Sequence, residues 1–181
     1  MSKKARQLEM FEKSPTRHGG KHSVGKRKKY RPIATKKSMH LVLRASKAIG
    51  TRSMLSRAHA ERIRAVIDAA AAQNHVAVAQ FANVGNHLHL LIRAKTRDGF
   101  KNFLRTVTAR IAILVTGAVK GRPFGKFWDH LAFSRIVEWG RDLIGTREYL
   151  TKNQFEGEGI ELMTSDGPRI FQIRRGTLRR T

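Results

Sequence analysis

Two histidines, a tyrosine and an asparagine are the residues of this 181-residue chain whose types and spacing point to chemistry. His87 and His89 flank Leu88 in the run Asn86-His87-Leu88-His89-Leu90-Leu91-Ile92. On a β-strand side chains alternate faces, so the two imidazoles project together, ~6.5–7 Å apart along the chain, and the flanking leucines project the other way. Two imidazoles so placed can converge on one divalent cation. The same pattern also suits a pair of partly buried, hydrogen-bonded histidines. Tyr149 and Asn153 lie four residues apart in Arg147-Glu148-Tyr149-Leu150-Thr151-Lys152-Asn153-Gln154 and share a face of a helix. Leu143 and Leu150 form a neighbouring stripe suited to packing on a sheet. A phenol is a covalent nucleophile when a metal or cation activates its target; the bland alternative is a rim aromatic with a wet hydroxyl. The other tyrosine, Tyr30, falls in a basic N-terminal segment.

The elements that must position these groups are legible from hydrophobic periodicity. Met39-His-Leu-Val-Leu-Arg44 is a short β-prone run. Residues 56–74 read as a helix, with Ile63, Val66, Ile67 and Ala70 recurring at helical spacing. Val76 to Val84 and His87 to Ala94 read as strands joined by a turn at Gly85-Asn86. Residues 97–116 read as a second helix with Phe100, Phe103, Leu104, Val107, Ile111 and Leu114 on one face. After a break from Gly121 to Gly125, Phe127 to Glu138 is β-prone, with room for two short strands around Asp129-His130. Residues 141–154 form a third helix. The order β-α-β-β-α-β-α predicts an α+β fold, a ferredoxin-like antiparallel sheet with helices on one face. The open face is then the place for the histidines.

Charge narrows the partner. The chain carries 37 Lys and Arg against 13 Asp and Glu, a net +24. Such an excess predicts a polyanion, with nucleic acid first. Residues 1–37 hold 13 bases and two acids, a net +11, and lack apolar periodicity; they read as a flexible basic arm that includes Lys26, Arg27, Lys28 and Lys29. Residues 160–181 read as a basic tail of net +3, and residues 38–159 as the folded domain, net +10. Within it, Arg97, Lys101 and Arg105 stand at i, i+4 and i+8 opposite the apolar face of the second helix, as a stripe for a nucleic-acid backbone or as a solvated surface. Arg44 and Arg135 are weaker candidates, and Trp128 and Trp139 are candidates for base stacking or for the core. The absence of cysteine excludes disulfides, Cys-ligated zinc and a thiol nucleophile. No apolar stretch follows the basic start, and the longest aliphatic run, Ile111 to Val115, is far short of the ~20 residues of a membrane span. The expectation is a cytoplasmic, nucleoid-associated protein with no membrane partner.

Taken together, the two motifs resemble those of the HUH single-strand DNA endonucleases, and more narrowly the single-tyrosine transposases of the IS200/IS605 and REP-associated types. Asn86-His87-Leu88-His89-Leu90-Leu91 is similar to their Asn-His-Val-His-Leu-Leu signature, and Tyr149-Leu150-Thr151-Lys152-Asn153 to their Tyr-Ile-x-x-Asn helix. The resemblance covers about residues 38–155. It implies that His87 and His89 ligate Mg²⁺ or Mn²⁺, and that Tyr149 is the nucleophile. The third ligand would be Asn153 or the adjacent Gln154. It further implies that single-stranded, hairpin-bearing DNA is cut and rejoined through a 5′-phosphotyrosine bond, and it is compatible with a homodimer. The competing readings are a non-catalytic ferredoxin-like RNA- or DNA-binding protein and a basic ribosome-associated protein. Neither gives a reason for the pairing of His-x-His with Tyr149.

Overall fold

The computed structural model describes residues 16–27, 29–157, 159, 161–163 and 172–174. Seven strands and three α-helices follow in chain order: β1 (Arg17–His18), β2 (Ser38–Arg44), α1 (Ala60–Gln73), β3 (Val76–Asn83), β4 (His87–Ala94), α2 (Arg97–Thr116), β5 (Phe133–Val137), α3 (Arg141–Gly157), β6 (Glu161–Met163) and β7 (Gln172–Arg174). The first five strands form one antiparallel sheet in the order β1-β5-β2-β4-β3. The expected α+β, ferredoxin-like arrangement is therefore present, with β2 and β4 at its centre.

Alternation along β4 explains the layering. Leu88, Leu90 and Ile92 face one side together with Leu41 and Leu43 of β2, and all five are almost fully buried. Against them α1 brings Ile63 and Ile67, and α2 brings Phe100, Phe103, Val107 and Ile111. Each such side chain contributes roughly 1.5–3 kcal/mol of transfer free energy, so this layer holds the domain together. The start of α2 is fixed by Thr96, whose hydroxyl accepts from the Gly99 amide at 3.0 Å.

The opposite face carries His87, His89 and Leu91. The third helix does not join the other two, as expected from a one-sided layer; it crosses this second face. Leu91, Val137 and Leu150 form a separate small cluster there, with Leu143 packed at its edge. The anchoring stripe read from the leucines is correct, but it serves the face that bears the histidines.

Three boundaries differ from expectation. The first helix begins at Ala60 rather than at residue 56, because Ser56 O takes the amides of His59 and Ala60 in a tight turn at 2.9 and 3.0 Å. Of the run Phe127 to Glu138, only Phe133–Val137 is a strand. Residues 127–132 are held as a loop, since Asp129 N donates to Arg44 O at 2.9 Å while the Asp129 carboxylate accepts from Ser46 N and Oγ at 2.8 and 2.6 Å. The last helix continues to Gly157, where an added Cβ would lie 2.2 Å from Asn83 O.

The segment expected to be a free arm joins the sheet from Thr16 onward. β1 pairs with β5, with Arg17 opposite Arg135 and His18 opposite Ser134. Arg31 Nη1 donates to Ser134 Oγ at 2.6 Å, Lys37 forms an ion pair with Glu138 at 2.6 Å, and Ile33 packs against the main core. At Gly19 (φ 82°) an added Cβ would meet Ala132 O at 2.0 Å, so only glycine fits this close approach. Residues 1–15 and Lys28 lie outside the described residues. Of the expected C-terminal tail, β6 and β7 pair with each other. Among the described residues no helix is long and apolar enough to cross a membrane.

Candidate functional site

Register places the candidate residues on adjacent strands of one face. Arg44 of β2 lies opposite His87 of β4, Val42 opposite His89, and His40 opposite Leu91 on one side and Arg135 of β5 on the other. The ring centroids of His87 and His89 are 4.8 Å apart. His40 stacks on His89 at 5.4 Å, and Tyr149 stands edge-on to both, 5.4 Å from His89 and 6.0 Å from His40. Tyr149 is 49% exposed, whereas His89 and His40 are buried. A cleft of about 520 Å³ opens over this group, lined also by Arg44, Phe133 and Arg135.

Hydrogen bonds set the imidazole tautomers. The oxygen of Asn86 can only accept, so His87 Nδ1 carries the proton of the 2.5 Å bond to Asn86 Oδ1, and His87 Nε2 is the lone-pair nitrogen. His89 Nδ1 is joined to His40 Nε2 at 3.2 Å, and His89 Nε2 is buried without a protein partner. A buried polar atom so placed costs ~1–3 kcal/mol unless something binds it. Burial depresses all three imidazoles. His89 is pushed down to about 3, with the neighbouring His87 and His40 adding to the effect. His40 is pushed down to about 4 by burial and then by Arg135, opposed by Asp142. His87 is lowered by burial and by Arg44, opposed by Glu156. At neutral pH the rings are uncharged, the form that can ligate a cation.

The helix that carries Tyr149 is tied to the sheet through β5. Arg135 Nη1 donates to both oxygens of Asp142 at 2.7 and 2.9 Å, and Arg135 Nη2 to Thr146 Oγ1 at 2.8 Å. Burial raises the Asp142 carboxyl, but hydrogen bonds from Glu138 N and Arg135, with the charges of Arg135 and Arg17, outweigh it and hold the group below the usual carboxylate range. Asn153 is buried one turn beyond Tyr149 and donates from Nδ2 to Tyr149 O at 2.7 Å; Gln154 is exposed. Of the two amides, position 153 is the one turned inward. Among the described residues no group of three His, Cys, Asp or Glu side chains stands ready to hold a metal. The third histidine does not complete one, because His40 Nε2 is turned onto His89.

The family model described as "Transposase IS200 like" matches residues 34–153. The chain belongs to the IS200-like transposase family. The resemblance read from the two motifs is thereby borne out. Among solved structures, the chain is similar to a candidate transposase from Deinococcus radiodurans R1, at 17% identity and TM-score 0.42, covering 71% of this chain and 98% of that one. It is also similar to a REP-associated tyrosine transposase bound to a REP hairpin, at 11% identity and TM-score 0.47, covering 72% and 74%. A comparison with curated proteins returns no significant match.

The candidate DNA-contacting residues of this transposase separate in space. Arg44 lines the site cleft. Arg97, Lys101 and Arg105 are exposed on α2, across the sheet from Tyr149, where Lys101 meets Asp98 at 3.0 Å. Lys26, Arg27 and Lys29 are exposed beyond the 3-10 turn at Gly20–Ser23, and the loop is held by His18 Nε2 donating to Lys29 O at 3.0 Å. Arg135 is occupied by Asp142 and Thr146. Trp128 donates from Nε1 to Thr108 O at 2.9 Å and packs on the core, while Trp139 is 82% exposed. His40 and Asp142 were not singled out from sequence. His40 had a signal: it shares the alternation phase of Arg44 on β2.

Proposed function

We propose that this transposase cleaves and rejoins single-stranded DNA at hairpin-bearing ends, with Tyr149 as nucleophile. The observation that carries this reading is Tyr149 standing edge-on over His89, half exposed in a cleft, beside a buried histidine nitrogen that has no protein partner. His87 and His89 fit a divalent metal such as Mg²⁺ or Mn²⁺, since both are neutral and each has an Nε2 that no protein proton occupies in the ligating tautomer. Asn153 Oδ1 would be the third donor, its nitrogen being used by Tyr149 O. A divalent metal held there would supply Lewis-acid stabilisation of the charge that builds on the phosphate in the transition state.

The chain's own groups do the rest. Tyr149 Oη attacks the phosphorus, its proton passing to solvent, and the P–O3′ bond breaks. The departing 3′ oxygen takes up a proton to leave a 3′-hydroxyl, and the 5′-phosphate stays on tyrosine. A second 3′-hydroxyl reverses these steps on a new strand, so joining needs no nucleotide hydrolysis. The Arg135–Asp142–Thr146 network holds α3, and so the phenol, against the sheet. Arg44 adds positive charge at the cleft.

The test is a covalent-adduct assay with labelled hairpin-bearing single strands and Mn²⁺ on a denaturing gel. A slower band is expected with the native chain, lost in Tyr149→Phe and reduced at least about a hundredfold in His87→Ala and His89→Ala, the scale of removing one transition-state stabiliser. An adduct that persists in Tyr149→Phe overturns the assignment.

A further inference from the structure

The cleft over the histidines does not end at Arg44. A second cleft of about 400 Å³ continues from it along the loop after β2, sharing Lys21, Arg44 and His130 with the first. Its cations are Lys21, Arg44, Lys47 and Lys126, all exposed. Lys47 is directed by Nζ donating to Lys126 O at 3.2 Å, and it lies 5.5 Å from the centroid of Phe124, whose ring also meets Arg52 at 5.2 Å. The cleft has one acid, Asp129. Both its oxygens accept from Ser46 and it pairs with Arg44 Nε at 3.6 Å, so it braces the wall, compensates one cation and leaves Lys21, Lys47 and Lys126 without a carboxylate in the cleft. Four cations against one carboxylate at the mouth of a site form a surface for a polyanion. The α2 stripe lacks this continuity, because the sheet separates it from Tyr149.

We propose that this second cleft is a phosphate track: it binds the phosphodiester backbone of the single DNA strand next to the bond placed at Tyr149. Lys47 and Lys126 contact phosphates, and Arg44 stands where the track meets the site. The cleft reads backbone, not bases; Trp128, its aromatic wall, is tied by its bond to Thr108 O and packed against the core. This inference rests on the proposed function in taking single-stranded DNA as the ligand.

The test is binding of a labelled thymidine homopolymer by fluorescence anisotropy over a salt series. It is done in the full chain carrying Tyr149→Phe, so that chemistry does not intrude. Adding K47E and K126E should weaken binding about tenfold or more at low salt. It should also flatten the log–log salt slope by about 1.4, the share of two single-strand phosphates. Adding R62E and R110E instead makes the same charge change on exposed arginines of α1 and α2, and should leave the slope within about 0.5 of the parent. Matching melting temperatures establish that both variants fold. Equal losses in the two variants, or an unchanged slope in K47E/K126E, overturn the track. An adduct formed by native Tyr149 together with an unchanged K47E/K126E slope refutes the track alone. Absence of any adduct with track-dependent binding intact refutes the chemistry alone.

Discussion

His89 pays a folding cost that a protein without a ligand would have no reason to keep. Its Nε2 is buried and unpartnered, and its ring is wedged among His87, His40 and Tyr149. The depressed pKa values of His89, to about 3, and His40, to about 4, turn this into a stability dependence. In the unfolded chain both titrate near 6.5, so the unfolded state binds more protons below that pH, and stability present above 6.5 is lost as pH falls toward the folded values. At pH 5 the loss is on the order of 2 kcal/mol per histidine. Thermal melts of the metal-free chain should fall between pH 6.5 and 5, before carboxylates titrate appreciably. A flat profile over that window would show that the rings are not held neutral. Metal should raise the melting temperature at pH 7.

At the scale of elements, the phenol is only as well placed as α3, and α3 is held by little apolar packing. Leu150 with Leu91 and Val137 is its buried contact with the sheet, supplemented by Arg135, Asp142 and Thr146. Asp142→Asn weakens the link at the first turn without contacting His87 or His89. It should lower the single-turnover rate of adduct formation about tenfold or more, because small displacements of a nucleophile are costly. Mn²⁺ affinity measured by calorimetry should stay within about threefold of the parent, below a 1 kcal/mol change. Parallel falls in rate and affinity would mean that the network supports the whole site, not the helix. The bounds of α2 and the strand pair β3–β4 were legible because a long period-3.6 pattern marks the helix and a turn glycine the hairpin. The side of the sheet that α3 takes was not, because Leu143 and Leu150 specify that a helix packs but not on which face. Nor did periodicity show that Asp129 ties residues 127–132 to Ser46, which is why that β-prone run is mostly loop. His40 shows in the sequence only the alternation phase it shares with Arg44; nothing sets it beside His89 until β2 pairs with β4.

For the whole molecule, a net charge of +24 identifies a class of partner but is silent on how the basic residues are held. Residues 16–37 look like a solvated arm because lysine and arginine dominate them and no apolar period runs through them. What incorporates them is not periodic: a two-residue edge strand, one arginine on a serine, one ion pair and one isoleucine against the core. A chain beginning at Ser38 would therefore lose more than charge. It would uncover the outer edge of β5, strip Arg31 from Ser134, and remove Ile33 from the core, leaving an open strand edge to pair with other chains. We expect its melting temperature to drop by several degrees, consistent with a loss of ~1–3 kcal/mol, and its solutions to aggregate on warming. The point substitution Gly19→Ala isolates the cause, since it leaves charge unaltered and drives a methyl group into Ala132 O. Its destabilisation should approach that of the Ser38 truncation. If Gly19→Ala melts unchanged while the truncation does not, the loss belongs to Arg31, Ile33 and Lys37 rather than to the edge strand.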